Sequence, residues 1–500
     1  MPRHSVSRSA TSQGAAGELK ASRRQVIGIA VGAVAFAGLR NTGAVRAQGT
    51  HCASPWPDPP KIDGDILLCD ADRQAFAADY GGYVKRLPLA VVRPRSIDDV
   101  ARTVGFANRR GIKIAMRGRG HSQYGQSLVE RGIVIDSSSL STVRVIEPDT
   151  VDTQAGATWG DVAKATLAQG RIPPVMVDAL MLSVGGTLSV GGTGETGYRY
   201  GGQVDNVLEL DVVTGIGEVV TCSPERNGEL FRMTLAGLGQ CGIIVRARLR
   251  LVKAAQFVAI RTLMYDDIDA FLTDQARLTS AETHGPLNGA AIKEQDGRIR
   301  FELYAGSYID TVEQGNSQPA WMSALHFKSD RPPATTPIWD YLDRRTVGAT
   351  RALAAVKLGL VNSALTTTLP EPEVRNFITS VLQSPETSIG IWNFEVSPKR
   401  KSNHGQPLFK MPESELSYEL RMQRRTTGPG SPDAKTMLAA TQGLLPRILS
   451  SGGKIYPPYC PILTKGQWQA QYGTETWRRF AESKKAFDPN SILTPGAGIF

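Results

Sequence analysis

Cysteine and histidine are scarce in this chain. Five cysteines and six histidines are spread over 500 residues, with no Cys-x-x-Cys pair and no histidine cluster at metal-ligand spacing. Zinc and iron–sulfur sites need such clusters, so we expect no metal centre. In an oxidising compartment Cys52 and Cys69 could form a disulfide, a pairing that the sequence leaves open.

The chain also lacks a hydrophobic run long enough to span a bilayer. The apolar run from Val26 to Leu39 is about 14 residues long, short of the roughly 20 that a membrane helix needs. It follows Arg23-Arg24 and precedes Val45-Arg46-Ala47, an order typical of a twin-arginine signal peptide. We therefore expect residues 1–47 to be removed, which leaves a periplasmic or extracellular protein with no stable membrane span after cleavage. The alternative is an uncleaved anchor or a buried helix.

A large excess of one charge is missing once this segment is set aside. Residues 1–47 hold seven basic residues and one acidic residue, so the formal net charge of +10 falls to +4 for the other residues. That balance does not provide a phosphate-binding face, and we expect no nucleic-acid partner. With 41% hydrophobic and 21% charged residues, the composition is that of a soluble globular protein.

From residue 89 onward, short apolar strands alternate with helices. Ser96 is a favourable N-cap for a helix through Asn108, which Gly111 would end. Residues 206–213 and 218–221 have the pattern of a β-hairpin.

Two glycine-rich stretches lie in this region, Arg117–Ser122 and Ser183–Thr193. Glycine lets the main chain approach a ligand closely, and consecutive N–H groups form a concave site for an anion such as a pyrophosphate. Neither stretch is a P-loop or a GxGxxG dinucleotide fingerprint. Either stretch alone is also compatible with a tight turn at a strand end.

Several motifs occur in a specific order along the chain. They occupy residues 117–126 (RGRGHSQYGQ), 174–189, 206–215, 218–223, 238–248 and 487–496. In this order they resemble the cytokinin dehydrogenases, FAD proteins of the vanillyl-alcohol oxidase class with a PCMH-type FAD-binding domain. The resemblance implies an α+β fold of two domains, in which a discontinuous FAD domain carries an inserted α+β substrate domain.

The composition changes where this fold would change domain. Glycine motifs disappear and prolines cluster after about residue 256, and aromatic and glycine residues return near the end. We expect a signal peptide over 1–47, the FAD-binding domain over 60–255, the substrate-binding domain over 256–455 and a C-terminal segment over 456–500 that returns to the FAD domain.

The resemblance also implies how FAD is held. His121 would bond covalently to the 8-methyl carbon of the flavin ring; the alternative is a histidine that only hydrogen-bonds a loop. Met181 stands near the position where related flavoproteins form a second, cysteinyl bond, so a single linkage is expected. The other expected cofactor-binding residues are Arg117, Gly118, Arg119, Gly120, Ser122, Gln126, Asp178, Ser183, Ser189, Thr193, Ile244, Tyr459 and Thr494.

Asp178 occupies the position of the family's catalytic aspartate. A carboxylate near the flavin accepts the N–H or O–H proton while hydride leaves the neighbouring carbon. Its apolar neighbours, Val177 and residues 179–182, predict a pKa raised toward the working pH. The alternative is a helix-cap or turn aspartate.

The resemblance weakens in the predicted substrate domain. The family's Trp-Leu-Asn stretch would fall near residues 362–370, where this chain reads NSALTTTLP. A pocket without that aromatic and that amide is expected to recognise a molecule other than cytokinin. Residues 392–398 would form a strand that either faces the flavin or belongs to the core.

The sequence therefore predicts an exported FAD-dependent oxidoreductase with Asp178 as base and His121 as tether. It would take hydride from a C–N or C–O carbon of a small-molecule substrate and pass the electrons to oxygen or a quinone-like acceptor. The alternatives are a sugar or hydroxy-acid oxidase on the same scaffold and a flavin-binding protein without catalysis.

Overall fold

The computed structural model describes residue 52 and residues 54–281, 285–426 and 430–500. The predicted signal peptide, residues 1–47, lies outside the described residues. Within the described part of the chain, no helix is both long enough and apolar enough to cross a membrane.

Strands form three larger sheets and one two-stranded ladder. Their bounds are β1 Asp65–Leu67, β2 Ala90–Arg93, β3 Ile114–Arg117, β4 Ile133–Asp136, β5 Val143–Glu147, β6 Thr150–Gln154, β7 Arg171–Ile172, β8 Val207–Val213, β9 Val219–Cys222, β10 Ile243–Arg250, β11 Val252–Lys253, β12 Phe257–Tyr265, β13 Leu287–Lys293, β14 Ile299–Ile309, β15 Ser329–Asp330, β16 Ala334–Pro337, β17 Asn362–Pro370, β18 Ile391–Arg400, β19 Leu416–Arg425 and β20 Lys454–Ile455.

Helices connect these strands, and the mixture is the predicted α+β class. Their bounds are α1 Asp70–Gln74, α2 Ile97–Arg110, α3 Trp159–Leu167, α4 Val184–Leu188, α5 Gly197–Tyr200, α6 Gly228–Thr234, α7 Ile268–Ala281, α8 Val312–Asn316, α9 Ile338–Asp343, α10 Thr346–Lys357, α11 Glu371–Gln383, α12 Pro385–Ser388, α13 Ala434–Ser450, α14 Lys465–Tyr472 and α15 Thr474–Phe487.

The first sheet has the order β1-β2-β4-β3, and β4 pairs in parallel with both β2 and β3. Helix α2 covers it through Val100 and Val104, which pack with Ile133 of β4 in one hydrophobic cluster. As predicted, Ser96 caps α2 by accepting a hydrogen bond from the Asp99 amide, and Gly111 ends it in the left-handed conformation. Strand β3 leads directly into the first glycine-rich stretch, which therefore lies at the carboxyl end of a parallel strand.

The second sheet is antiparallel, with the order β5-β6-β10-β8-β9. Strands β8 and β9 form the predicted hairpin, with Leu210 opposite Cys222. Along β10, buried apolar residues alternate with Arg246 and Arg248, and the guanidinium of Arg246 lies between Asp152 and Asp211 on the opposite face. The second glycine-rich stretch enters α4, which packs against β6 and β10.

Residues 257–455 contribute a separate, nine-stranded antiparallel sheet. Its order is β15-β12-β14-β13-β18-β19-β17-β20, and β16 pairs with β12. Helices α7 and α11 pack on it, and Phe271 and Phe377 are fully buried there. Because β18 and β19 are neighbours near the middle of this sheet, their polar side chains share one surface.

The C-terminal segment packs on the first sheet. The amide of Thr494 donates a 2.7 Å hydrogen bond to the carbonyl of Ile114 in β3. In α15 the buried ammonium of Lys484 pairs with Asp488 at 2.6 Å and donates to the carbonyl of Gln240. These contacts join residues 456–500 to the predicted FAD domain, although the domain boundaries themselves stay a prediction.

Cys52 and Cys69 form a disulfide, which answers the question that the sequence left open. Their Cα atoms lie 5.4 Å apart, within the usual range for a disulfide. Cys222, Cys241 and Cys460 are free thiols, and all three are buried.

Candidate active site

A cavity of about 990 Å³ runs between the two glycine-rich stretches and the surface formed by β18, β19 and α10. Its volume lies at the upper end of the range for small-molecule sites, roughly 300–1,000 Å³. The cavity brings together almost every predicted site residue, namely Gly118, Arg119, Gly120, His121, Ser122, Gln126, Asp178, Ser183, Ser189, Thr193, Ile244, Tyr459 and Thr494.

Arg117 is the one predicted site residue that does not line this cavity. Its buried guanidinium donates hydrogen bonds to the carbonyls of Phe76 at 3.3 Å and Ala78 at 2.9 Å. Burial lowers the pKa of Arg117, while the negative charges of Asp79 and Asp136 oppose that effect. The side chain therefore fastens the start of the glycine turn to the preceding loop.

The two glycine-rich stretches meet at Gly118 and Ser183. A methyl group at Gly118 would lie 2.0 Å from Oγ and 3.1 Å from Cβ of Ser183, so the two stretches come close enough here to favour glycine. In the second stretch, a methyl group at Gly185 would lie 2.6 Å from the Cβ of Ala155. Two separate sequence motifs thus form one wall of the cavity, as a shared cofactor site requires.

His121 is held by two tyrosines at this wall. Its ring stacks on Tyr80 with the centroids 3.7 Å apart, and its Nδ1 lies 3.0 Å from the hydroxyl of Tyr459. Its Nε2 is buried without a hydrogen-bond partner among the described residues. A buried nitrogen without a partner beside a cavity is a position where a bound group is expected.

Electrostatics keep this imidazole neutral. Burial, together with the positive charge of Arg421, lowers the pKa of His121 to about 4. Burial raises the pKa of Tyr459 to about 12, so its hydroxyl keeps its proton. When Nδ1–H donates to the oxygen of Tyr459, the lone pair is left on Nε2.

Asp178 lies between two arginines. Its Oδ2 accepts hydrogen bonds from Nη1 of Arg421 at 2.7 Å and from Nη1 of Arg345 at 3.2 Å. Arg345 also donates to Oε1 of Glu395 at 2.7 Å, and Arg421 lies 3.6 Å from the other oxygen of that carboxylate. Two carboxylates and two guanidiniums therefore form one network at the cavity wall.

The sequence-based prediction for the pKa of Asp178 is wrong in direction. Burial by itself would raise this pKa. The opposite effect is larger: this pKa is lowered well below its ordinary value by the charges of Arg345 and Arg421, by the hydrogen bond from Arg421 and by the charge of Arg344. The prediction failed because it counted only the apolar residues adjacent in sequence. Nor is Asp178 a helix cap, since its hydrogen bonds to described residues come from these arginine side chains.

A second acidic centre adjoins this network. Glu195 accepts hydrogen bonds from Arg344 at 2.7 Å and from the hydroxyl of Tyr341, and Arg345 lies 3.5 Å from it. Arg345 therefore connects Asp178, Glu395 and Glu195, so the orientation of Asp178 depends on an arginine that is itself fixed from three sides.

Arg345, Arg421 and Glu395 of this network were not predicted from the sequence. Arg421 is separated from Asp178 by 243 positions and Arg345 by 167 positions, too far along the chain for a local sequence pattern to connect them. The one available signal was the alternation in β19, where arginine at 421 stands between the buried Leu420 and Met422.

Strands β17 and β18 supply the rest of the cavity wall on the substrate-domain side. Trp392, Asn393 and Glu395 of β18 line the cavity, whereas Phe394 and Val396 are buried in the core. Residues 392–398 therefore form the predicted strand, with one face in the core and the other at the cavity. In β17, where the family's Trp-Leu-Asn would fall, Asn362 reaches the cavity.

The residues present fit FAD. The unpartnered Nε2 of His121 lies at the cavity, and the main chain around Gly118 and Gly185 comes too close to its neighbours to accept side chains. Close main-chain approach suits the pyrophosphate of a dinucleotide, and a buried nitrogen without a partner marks a position for a bound group.

Comparison with known proteins agrees with this assignment. The family model described as "FAD binding domain" matches residues 88–223. The model described as "Cytokinin dehydrogenase 1, FAD and cytokinin binding" matches residues 366–500.

Full-length relatives extend the similarity over most of the chain. Cytokinin dehydrogenase 9 of Oryza sativa subsp. japonica is 32% identical over 489 residues, which cover 88% of this chain and 91% of the relative. Cytokinin dehydrogenase 1 of Arabidopsis thaliana is 30% identical, with 93% and 88% covered. An oxidoreductase from the fasciation locus of Rhodococcoides fascians is 31% identical, with 85% and 97% covered.

Proposed function

The chain belongs to the cytokinin dehydrogenase family of FAD-dependent oxidoreductases, and we propose that it oxidises the carbon beside the nitrogen of a small amine. The observation that supports this proposal is the position of Asp178. Its carboxylate lies in the same cavity as His121 and is oriented by Arg345 and Arg421.

In this proposal Asp178 acts as an ionised acceptor. FAD, when bound, supplies the hydride acceptor N5 and passes the electrons to oxygen or a quinone-like molecule. Because both arginines donate to Oδ2 of Asp178, Oδ1 is the oxygen left for the substrate N–H. The carboxylate stabilises the positive charge that develops on the carbon–nitrogen unit as hydride leaves, and Oδ1 then takes the N–H proton.

We propose that His121 tethers the cofactor covalently. The pKa of about 4 leaves the imidazole neutral in neutral solution, so a nitrogen lone pair is available to replace one hydrogen of the 8-methyl group of the flavin. That replacement breaks a C–H bond and releases protons to solvent and two electrons, which the flavin would take up and pass to oxygen or the quinone-like acceptor. Tyr80 and Tyr459 fix the plane of the ring. Met181 has no nucleophilic thiol, so one linkage is expected.

The glycine-rich wall would hold the rest of the cofactor. Main-chain N–H groups around Gly118 and Gly120 suit the pyrophosphate, and Arg119 beside them carries a compensating positive charge. The remaining residues proposed to contact FAD are Ser122, Gln126, Ser183, Ser189, Thr193, Ile244 and Thr494. Arg117 would act on this wall indirectly, through the loop at Phe76 and Ala78.

We further propose that different parts of the chain bind the cofactor and the substrate. Residues 60–255 and 456–500 would bind FAD, and residues 256–455 would bind substrate. The division is supported by the separate nine-stranded sheet of residues 257–455 and by the contact of Thr494 with β3.

Export by the twin-arginine route is proposed from the sequence around Arg23-Arg24. The Cys52–Cys69 disulfide supports an oxidising destination, because disulfides persist outside the reducing cytoplasm. A variant with both arginines replaced by lysine should stay in the cell, and export of that variant at the normal rate would contradict this route.

Anaerobic titration of the holoenzyme tests the proposed reaction. Secondary amines with an allylic or alkyl carbon on nitrogen should bleach the visible flavin absorbance, whereas sugars and hydroxy acids should not. Bleaching by carbohydrates alone would identify the alternative oxidase on the same scaffold. A flavin that no member of the panel bleaches would instead identify a carrier without catalysis.

A further inference from the structure

The acidic groups of the cavity already have positive partners. Among the described residues that line it, Asp178 and Glu395 are the acids, and Arg345 and Arg421 hold both of them. The reaction centre is therefore close to electrically balanced before any ligand enters.

Three further arginines line the same cavity without an acidic partner in the described part of the chain: Arg119, Arg351 and Arg425. Arg119 belongs to the glycine turn beside His121, where the pyrophosphate of FAD is proposed to bind. Arg351 and Arg425 are on the opposite, substrate-domain side, so the cofactor does not account for their charges.

Both arginines lie away from the reaction centre, toward the same end of the cavity. Arg351 is six residues beyond Arg345, on α10, which places it about 9 Å farther along the helix axis. Arg425 is four residues beyond Arg421, on the same face of β19 and about 13 Å farther along the strand.

The chain connects these two positions. Four residues separate the end of α10 from Asn362, which begins β17 and pairs with Arg425, and the amide of Thr426 donates to the carbonyl of Val361. Helix α10 therefore runs from the Asp178 end of the cavity toward the Arg425 end, and Arg351 lies between these two ends.

Arg425 is held in place without losing its charge. Its guanidinium lies 4.4 Å from the ring centroid of Trp392, which itself lines the cavity. A cation–π contact of this kind orients the guanidinium but does not neutralise it. The fork of an arginine side chain matches the oxygens of a carboxylate or a phosphate.

From this geometry we infer that the physiological substrate carries an anionic group, a carboxylate or a phosphate, at the end opposite the oxidised carbon. Arg351 and Arg425 bind that group about 9–13 Å from the reaction centre. This inference rests on the proposed function, because it assumes that the oxidised carbon lies at Asp178. Residues 362–370 lack the family's Trp-Leu-Asn stretch, which agrees with a substrate other than cytokinin.

Matched pairs of neutral and anionic amines test the inference on the holoenzyme. The phosphate pair is N6-isopentenyladenosine and its 5′-monophosphate. The carboxylate pair is 4′-(prenylamino)biphenyl-4-carboxylate and its N-methylamide. In each pair the amine is the same, and only the distant charge differs.

The anionic member of at least one pair should have a kcat/KM at least about tenfold higher at low salt, mainly through KM. That preference should shrink as salt is added. A preference in the phosphate pair alone, or in the carboxylate pair alone, identifies the source of the anion.

Variants connect the preference to the two arginines. Arg351→Gln with Arg425→Gln should bring the anionic-to-neutral ratio of kcat/KM close to one, whereas Arg351→Lys with Arg425→Lys should keep most of it. Arg109→Gln removes an exposed arginine of α2 that does not line the cavity, and this control should leave the ratio unchanged.

Three results would overturn the inference. If the neutral and anionic members of each pair have the same kcat/KM, or if the double glutamine variant keeps the preference, Arg351 and Arg425 do not recognise substrate charge. If no member of either pair reduces the flavin, amine oxidation itself is wrong, and the inference falls with it.

Discussion

Nη1 of Arg421 donates a 2.7 Å hydrogen bond to Oδ2 of Asp178, and the same nitrogen lies 3.6 Å from Glu395. The side chain is largely buried, and its buried Nε has no hydrogen-bond partner among the described residues. Arg421 thus connects the strand that carries it to the proposed reaction centre. Because this arginine and Arg345 hold the carboxylate ionised, the pH dependence of the reaction should respond to either one.

Replacing Arg421 should move the acid limb of the pH profile upward. The pKa of Asp178 is held below its ordinary value, so in the wild type the carboxylate stays ionised as the pH falls through the mildly acidic range. Arg421→Gln removes one of the two main positive charges, and protonation should then occur at higher pH. The measurement is the rate of anaerobic flavin reduction against pH.

Arg421→Lys is the matched control, because it keeps the charge but not the planar fork. Its acid limb should lie between those of the wild type and the glutamine variant. An acid limb that is the same in all three proteins would mean that Asp178 is not the group whose protonation stops the reaction.

Asp178→Asn should slow flavin reduction by about 100-fold or more, because an amide neither takes the proton nor carries the negative charge. Glu395→Gln removes an acid from the same two arginines but keeps the acceptor, so its effect should be smaller. Flavin content, measured by absorbance, should be normal in both proteins. Equal rates for the two variants would assign the role of acceptor to neither residue.

His121→Ala should yield protein that loses its colour on acid precipitation, whereas the wild-type pellet stays yellow. The physical reason is the neutral, tyrosine-oriented imidazole, whose burial lowers its pKa to about 4. His326→Ala is the control, because that exposed histidine pairs with Asp274 and does not line the cavity. A yellow pellet from the His121 variant would place the linkage elsewhere or show that the cofactor is trapped without a bond.

Local signals made part of this structure predictable. Ser96 and Gly111 mark the ends of α2 because caps act through hydrogen bonds within a few residues. The hairpin of β8 and β9 was predictable for the same reason. The glycine-rich stretches pointed to one site, and they meet at Gly118 and Ser183 because both lie beside the ends of regular elements.

The charge of the reaction centre was not predictable in this way. The residues beside Asp178 in sequence are apolar, but the groups that set its pKa come from Arg345 at the start of α10 and Arg421 in β19. Their approach depends on how the substrate-domain sheet faces the glycine-rich wall, and no periodicity in the sequence reports that. Arg117 differs from its prediction for another reason. The residue lies in the glycine-rich motif as expected, but its long side chain turns away from the cavity.

Gly118→Ala should reduce the ratio of bound flavin to protein. The added methyl group would lie 2.0 Å from Oγ and 3.1 Å from Cβ of Ser183, so this side chain would have to rotate and shift where the two stretches form the cavity wall. Gly443→Ala is the matched control, because a methyl group added to this exposed glycine of α13 would meet no neighbouring atom of the described chain within 4 Å. Alanine also favours a helix over glycine by roughly 0.5–1 kcal/mol. Loss of flavin in both variants would point to general instability rather than to the wall.

Removing the Cys52–Cys69 disulfide should lower the free energy of unfolding by about 3 kcal/mol, the value typical of a short closed loop. The bond closes a loop with a sequence separation of 17, so its main effect is on the unfolded chain. The measurement is urea denaturation of the Cys52→Ser/Cys69→Ser variant beside the wild type, each with and without reductant. Reductant should destabilise only the wild type, because Cys222, Cys241 and Cys460 are already free and buried. If reductant also destabilised the double variant, another redox-sensitive group would have to be responsible.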